Sequence, residues 1–246
     1  MISVVIPTVN EAGELPGCLV SLAGQREHEL IVADAGSADG TLELAASAGA
    51  NVVACAEPQR AAQLNEGARR SCGDILLFLH ADARLPAGAL AAVERAVAAG
   101  AVGGCFRLRL RGAPRALAAL TPLGDIHCRA TRTTFGDRAI FVLRDAFERA
   151  GGFPQQEIME DVEFGRRLKR LGDVVVLPLT VHASARHFRR QGSLWVALKA
   201  ALCYGLYDLG VAPRRLARFY WGAGYAGSDN GTAAGEWRAR TGGGVR

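Results

Sequence analysis

From Ile2 to about Gly100 the chain alternates short β-branched apolar runs with stretches of helical spacing, and this rhythm restricts the fold more than any other feature. Strand signals lie at 2–6, 30–33, 51–54 and 75–79, and helices are predicted near 13–23, 39–48, 60–71 and 86–99. Asp39-Gly40-Thr41 and Pro86-Ala87 are suitable helix starts, because Asp can cap free amides and Pro fits a first turn. Gly24, Gly49, Gly73 and Gly100 fall at predicted helix ends, where a left-handed residue is often needed. Successive β-α-β units call for parallel strands with helices on the faces. The chain therefore reads as an α/β fold with a mostly parallel central sheet flanked by helices.

The second half is less regular. Gly103 to Arg111 alternates Phe106, Leu108 and Leu110 with Arg107, Arg109 and Arg111, a strand with one apolar and one basic face. A helix is predicted over 114–126, a strand over 139–143, a helix over 161–171, a strand over 173–177 and helices over 193–209 and 213–221. A Gly-rich tail from Gly222 is expected to be largely unstructured. With no repeat and no convincing linker, residues 1–221 are expected to form a single domain, with a tail over 222–246.

Half of the 246 residues are apolar, enough for a sizeable core. The net charge of +5 comes from 29 basic against 24 acidic side chains, and only Lys169 and Lys199 are lysines. So modest an excess does not call for nucleic acid; it suits a diphosphate ligand or an anionic membrane surface as well. The six cysteines are scattered, without zinc-ligand spacing, and read as reduced core residues of a cytoplasmic protein. No signal peptide is visible. Residues 194–209 are apolar but broken by Lys199 and Asp208, and fall short of the ~20 residues of a span. They are expected to be buried or to lie on the inner face of a membrane.

The apolar runs lead into acidic residues. Ile2–Pro7 leads to Glu11, Leu30–Ala33 to Asp34, Ile75–Leu79 to His80-Ala81-Asp82, and Glu160-Asp161 opens a charged helix. In open α/β sheets ligands bind beyond the carboxyl ends of the strands. Acids gathered there can hold Mg²⁺ or Mn²⁺, grip a ribose or base, or accept a proton. Each also has a plain structural reading: Asp82 as a turn or cap, Asp34 as part of a β–α turn, Glu160 and Asp161 as capping acids. The dipole of its helix should keep Asp161 ionised. Arg60, Gln63 and Asn65 at one helix start, and Arg186-His187-Phe188-Arg189-Arg190, offer phosphate contacts or simply solvated basic faces.

Together, Val4-Val5-Ile6-Pro7 with Asn10-Glu11, Val32-Ala33-Asp34 with Gly-Ser-x-Asp-Gly-Thr, Leu79-His80-Ala81-Asp82 and Glu160-Asp161 resemble the family 2 glycosyltransferases of GT-A (nucleotide-diphospho-sugar transferase) fold, in order and spacing over about residues 1–190. Gln59-Arg60-Ala61, Gln63-Leu64-Asn65, Phe135-Gly136-Asp137, Gly151-Gly152-Phe153-Pro154 and Ser184-Ala185-Arg186 look like a small bacterial branch of it, whose members are often labelled arsenosugar-biosynthesis or radical-SAM/selenodomain-associated glycosyltransferases.

The resemblance implies a nucleotide-binding half over 1–100 and an acceptor half over 101–221. It also implies a set of roles. Glu11 and Asp34 would hold the nucleoside of the donor, most often UDP, and Arg60 and Arg186 the diphosphate. Pro7, Asn65 and Asp137 would complete the substrate contacts. Asp82 would bind a divalent cation, Mg²⁺ or Mn²⁺. Asp161, with Glu160 beside it, would stand where the catalytic base lies in an inverting transfer to a hydroxyl acceptor. Two residues depart from the pattern: His80 replaces the first acid of Asp-x-Asp, and Arg138 stands where Gln is expected. Two rivals remain, a sugar-phosphate nucleotidyltransferase and a non-catalytic nucleotide-sugar binder. The first needs a glycine-rich loop after strand one, which Pro7-Thr8-Val9-Asn10-Glu11 is not. Neither the acceptor nor the oligomeric state is legible.

Overall fold

Alternation of side chains along the first strand sets up both layers of the molecule. In a computed structural model that describes residues 1–186 and 193–222, β1 (Ile2–Thr8) sends Val4 and Ile6 to one face of the sheet and Val5 to the other. The first face is covered by α1 (Leu15–Ala23), α2 (Thr41–Ser47) and α4 (Ala89–Ala98), through Leu15, Leu22, Leu90 and Val93. The second is covered by α3 (Arg60–Arg70), α6 (Arg144–Arg149) and α7 (Glu160–Lys169), through Leu64, Phe147, Phe164 and Leu168. There Phe153 lies between Phe164 (centroids 4.3 Å apart) and Phe78 (4.8 Å), so α7 is seated on the strand that leads to Asp82.

The remaining strands are β2 (Glu29–Asp34), β3 (Asn51–Ala54), β4 (Ile75–Phe78), β5 (Ala83–Arg84), β6 (Gly103–Arg111), β7 (Ile140–Leu143) and β8 (Val174–Ser184). The sheet order is β3-β2-β1-β4-β7-β6-β8-β5. The expected mostly parallel sheet holds for β1 to β4, but the whole is mixed. β7 runs antiparallel to both β4 and β6, and β5 runs antiparallel to β8. The chain reaches β7 from α5 (Arg115–Thr131) and a single 3₁₀ turn (Gly136–Arg138), not from a β-α crossover that would return it parallel.

Several element bounds differ from the sequence reading, each for a local reason. The strand predicted to stop at Leu177 runs on to Ser184, because Pro178 falls at a bulge. Phe106 pairs with Leu177 and Arg107 with Thr180, so two extra residues of β8 loop out where no amide is needed. α5 runs five residues past the predicted end, carrying Pro122 inside it. α4 starts after Gly88 (φ 72°), so Pro86 lies in the preceding turn and not in the helix. Gly49 and Gly100 take the left-handed conformation; Gly24 (φ −95°) does not, and neither does Gly73. A Cβ there would lie 2.5 Å from Ser3 Oγ and 2.7 Å from Ser3 N, so close approach excludes a side chain. α6 and β5 were not foreseen. Two further helices, α8 (Ser193–Asp208) and α9 (Pro213–Trp221), close the described chain. The tail over 223–246 and residues 187–190 of the basic run lie outside the described residues.

Candidate active site

The site begins where the sheet opens. β2 stays paired with β1 as far as Thr8 and Asp34, whereas β4 is paired with β1 only as far as Val5 and Phe78. Because β2 and β4 leave β1 on opposite sides, this is the point at which strand order reverses, and a crevice forms beyond the carboxyl ends. Pro7, which has no amide to donate, sits where β4 has already parted from β1. The Gln63 amide donates to the Thr8 and Ala33 carbonyls, 2.9 Å each, closing the gap from α3. Asp34 is buried beside it. Its carboxylate accepts from Thr8 Oγ1 (2.8 Å), the Gly36 and Ser37 amides (2.9 and 2.8 Å) and Ser37 Oγ (2.5 Å), which fixes the loop that follows β2. Asn10 (φ 54°) knits this loop to the one after β1 by donating its backbone N–H to Ser37 Oγ and accepting from the Ala38 amide.

Glu11, Asp82 and Arg186 meet across the crevice. Arg186 donates to Glu11 Oε1 at 2.5 Å and its Nε lies 3.5 Å from Asp82 Oδ2. Arg111 bridges Glu14 Oε2 (3.1 Å) and the Asp82 carbonyl (2.9 Å), so the basic face of β6 holds the edge of this loop. On the α3–α7 side Arg60 pairs with Glu160 at 3.3 Å. Asp82 and Asp161 both act electrostatically on Arg60 and on Asp137, so these four charged groups lie within electrostatic reach of one another.

Helix α7 delivers the last acids. Its N-terminus follows Met159, whose φ of 66° is costly for a residue with a side chain, and such strain clusters at functional sites. The Gly136 amide donates to Asp161 Oδ2 at 2.6 Å, and the Val162 amide to Oδ1 at 2.8 Å. This approach depends on Gly165, where a Cβ would come within 2.3 Å of Thr134 Oγ1. Gly136 lies between His80 and Asp161: a Cβ on it would be 3.2 Å from His80 Nε2 and 3.3 Å from Asp161 Oδ2.

Arg138 has a structural partner that its place in the sequence did not reveal. It is buried and donates to Asp125 Oδ1 on α5 at 2.6 Å, while Asp125 Oδ2 accepts from Arg109 (2.8 Å) and Oδ1 also accepts from the Leu108 amide (3.1 Å). The pair clamps the turn that carries Gly136 and Asp137 to α5 and β6. Asn65 is held elsewhere, with its amide bonded to both the Phe153 carbonyl (2.8 Å) and the Phe153 amide (2.9 Å). It lines a separate open cleft of about 730 Å³, together with Cys55, Glu57, Gln59, Gln155 and Glu157.

Burial dominates the electrostatics. Desolvation raises the carboxyls of Glu11, Asp82, Glu160 and Asp161 above their ordinary range, against the pull of Arg186 and Arg60. The helix dipole therefore does not keep Asp161 at its ordinary acidity: burial outweighs the Gly136 and Val162 amides and Arg60. Asp137 is pushed up to about 6. Burial, with Arg60 and Arg186, lowers His80 to about 3, so the imidazole is neutral. Among the described residues, His80 Nε2, Glu11 Oε2 and Asp137 Oδ1 are buried without a hydrogen-bond partner. No three or more His, Cys, Asp or Glu side chains among those residues are arranged to hold a metal ion by themselves. A divalent cation there would take one protein carboxylate, Asp82, and complete its shell with substrate phosphates and water.

With this geometry in view, comparison with known proteins places the chain. Residues 3–121, just under half of the chain, match the model of the Glycosyl transferase family 2. A PGL/p-HBAD biosynthesis glycosyltransferase of Mycobacterium bovis is 37% identical over 90 residues, 33% of this chain and 35% of the relative. The match thus spans about a third of the length of that curated relative. The mannosyltransferase PcManGT from Pyrobaculum calidifontis, solved with GDP-Man and Mn²⁺, superposes with a TM-score of 0.66 at 21% identity, covering 100% of this chain and 76% of the other. S. aureus TarS 1–349 with UDP-GlcNAc gives 0.59 at 15%, covering 89% and 70%. Glucosyl-3-phosphoglycerate synthase from Mycobacterium tuberculosis, with Mn²⁺, UDP and glucosyl-3-phosphoglycerate, gives 0.54 at 22%, covering 73% and 70%. These structures establish the fold as that of the GT-A glycosyltransferases.

Proposed function

We propose that this chain is an inverting glycosyltransferase that moves a sugar from a nucleotide-diphosphate sugar, a UDP-sugar in the first instance, to a hydroxyl acceptor. The observation that carries the reading is Gly136, which donates to Asp161 Oδ2 and lies against both that carboxylate and His80, two residues before Asp82. Glu11, Asp34 and Pro7 would contact the nucleoside, and Arg60, Arg186 and Asp137 would complete the donor site, whereas Asn65 keeps its structural bonds to Phe153. Arg186 would exchange its Glu11 contact for a phosphate oxygen. Residues 1–221 would form one catalytic domain, 1–100 for the nucleotide and 101–221 for the acceptor. The branch motifs quoted above favour the small bacterial subgroup but name no substrate.

Asp161 would take the proton of the acceptor hydroxyl as that oxygen attacks the anomeric carbon and the bond to the diphosphate breaks. Desolvation makes Asp161 a stronger base than a solvated aspartate, and Glu160, paired with Arg60, keeps that cation beside it. Arg60 and Arg186 would offset charge growing on the leaving diphosphate. A divalent cation at Asp82 would add Lewis-acid stabilisation of that group when bound. The six cysteines are unpaired, which fits work in the reducing cytoplasm, with residues 194–209 able to touch the inner face of its membrane.

The test is release of nucleoside diphosphate from UDP- and GDP-sugars without acceptor, in wild type and Asp161→Asn. Wild type should hydrolyse the donor slowly. In Asp161→Asn, transfer to a found acceptor should fall by about 10²–10⁴-fold with donor affinity retained. No release from any nucleotide sugar would favour a pure binder, and wild-type turnover in Asp161→Asn would remove Asp161 from the chemistry.

A further inference from the structure

Three helices at one end of the molecule turn large apolar side chains outward instead of burying them. On α8, Trp195, Leu198, Leu202 and, just past its end, Leu209 recur at steps of three, four and seven residues, one stripe along the helix. Trp195 and Leu198 are 56% and 58% exposed. On α5, Leu120, Leu123 and Ile126 recur at steps of three and are exposed too. α9 adds Phe219. The helices are joined: His127 of α5 meets Tyr204 of α8 edge-on with centroids 5.2 Å apart, and Lys199 lies over both Trp195 (5.7 Å) and Phe219 (5.9 Å). Large apolar side chains exposed on adjoining helices mark an interaction surface.

The charges around the patch identify the partner. Arg115, Arg129, Lys199, Arg214, Arg215 and Arg218 stand on these three helices. The acids on them are Asp125, buried under Arg138, and Asp208, paired with Arg166 of α7. Cations beside exposed Trp, Phe and Leu, on helices lying along a surface, are the composition of an interfacial membrane element. Among the described residues no helix is long and apolar enough to cross a bilayer, so contact would be in the plane of the headgroups. We infer that the α5–α8–α9 face docks on an anionic phospholipid bilayer. This extends the membrane contact of 194–209 to a composite surface of three helices and gives it a lipid preference.

Helix α8 packs on the candidate active site through the flank away from this stripe. Phe135, next to the Gly136 that holds Asp161, meets Tyr204 of α8 edge-on with centroids 5.6 Å apart. Tyr207 of α8 donates to Glu163 of α7, and Tyr220 of α9 lies within electrostatic reach of Arg60 and Asp137. A docked protein would hold its acceptor side at the bilayer, so the hydroxyl acceptor would be a lipid-linked one. That consequence rests on the transferase reading; the docking itself does not.

Sedimentation with vesicles separates the two. The full chain should pellet with phosphatidylcholine–phosphatidylglycerol vesicles mixed about two to one, and release as salt rises; with phosphatidylcholine alone it should bind at least tenfold more weakly. The triple variant Arg214→Glu/Arg215→Glu/Arg218→Glu should lose at least about a hundredfold, since each basic residue is worth roughly fivefold at such a surface. Trp195→Ser/Leu198→Ser should lose binding to both compositions. Both variants should keep the wild-type thermal shift with UDP or GDP, which shows them folded and leaves the donor site intact. Equal binding to neutral and anionic vesicles, or no binding, would overturn the proposal. So would a dimer seen by light scattering that Trp195→Ser/Leu198→Ser dissolves while vesicles are ignored, because the patch would then be a subunit interface. If vesicle binding holds but no nucleotide diphosphate is bound, the transferase reading fails and the docking stands.

Discussion

Replacing Asp125 by Ala should destabilise the protein and slow its chemistry from a distance. Its carboxylate neutralises Arg138 at 2.6 Å, and the two side chains are only 8% and 5% exposed. Removing one partner of a buried ion pair leaves an uncompensated charge and costs about 3–5 kcal/mol. The Asp137 carboxylate, the largest opposing charge on Arg138, can take up part of this, which places the cost nearer about 3 kcal/mol. The Leu108 amide also loses its acceptor. For a domain of this size that is a fall in Tm of roughly 6–12 °C by scanning calorimetry. Arg138→Met on top of Asp125→Ala should recover stability, because an apolar side chain needs no partner. Turnover should fall as well, since Gly136 and Asp137 occupy the turn that Arg138 clamps, and displacement of a catalytic group by about 1 Å costs on the order of 100-fold. A loss below about 1 kcal/mol, or no recovery in the double variant, would refute the clamp.

Two further predictions follow from the same geometry. Burial lifts Asp137 to about 6 in the folded state from 3.8, so the folded protein holds a proton there that the unfolded chain has released, and stability falls as pH rises from about 4 through about 6. In metal-free buffer Asp137→Asn should therefore raise Tm at pH 8 and leave it nearly unchanged at pH 4; the same change at both would show that Asp137 titrates normally. Gly165→Ala should push α7 away from Thr134 and lengthen the Gly136–Asp161 hydrogen bond, lowering kcat by tenfold or more with KM for the donor little changed; wild-type kcat would show that this contact does not position Asp161.

How much could be read beforehand depended on where the signal lay. β1, β2 and β4 were legible because buried parallel strands are continuous β-branched runs, and the acids at their ends were legible because the sheet topology fixes where such ends gather. The end of β8 was not, since Pro178 reads as a stop unless the bulge opposite Arg107 is known. β7 could be found but not its direction, because antiparallel return depends on the path of α5 and the turn after it. Arg138 could be seen as unusual, but its partner is Asp125, thirteen residues back on a helix that the sequence pattern ended too early. Likewise nothing local says that the Asn65 amide is engaged by Phe153, or that four donors surround Asp34, because those contacts exist only after the chain has folded.

Residues 11, 34, 82 and 161 should border a single site for a nucleotide diphosphate, and calorimetric titration can measure its occupancy. Wild-type protein titrated with UDP and with GDP, each with Mn²⁺, should bind one of them with one-to-one stoichiometry, and Asp82→Ala should weaken that binding at least tenfold while leaving the metal-free affinity nearly unchanged. Absence of binding to either nucleotide, or equal Mn²⁺-dependent affinity in Asp82→Ala, would contradict it.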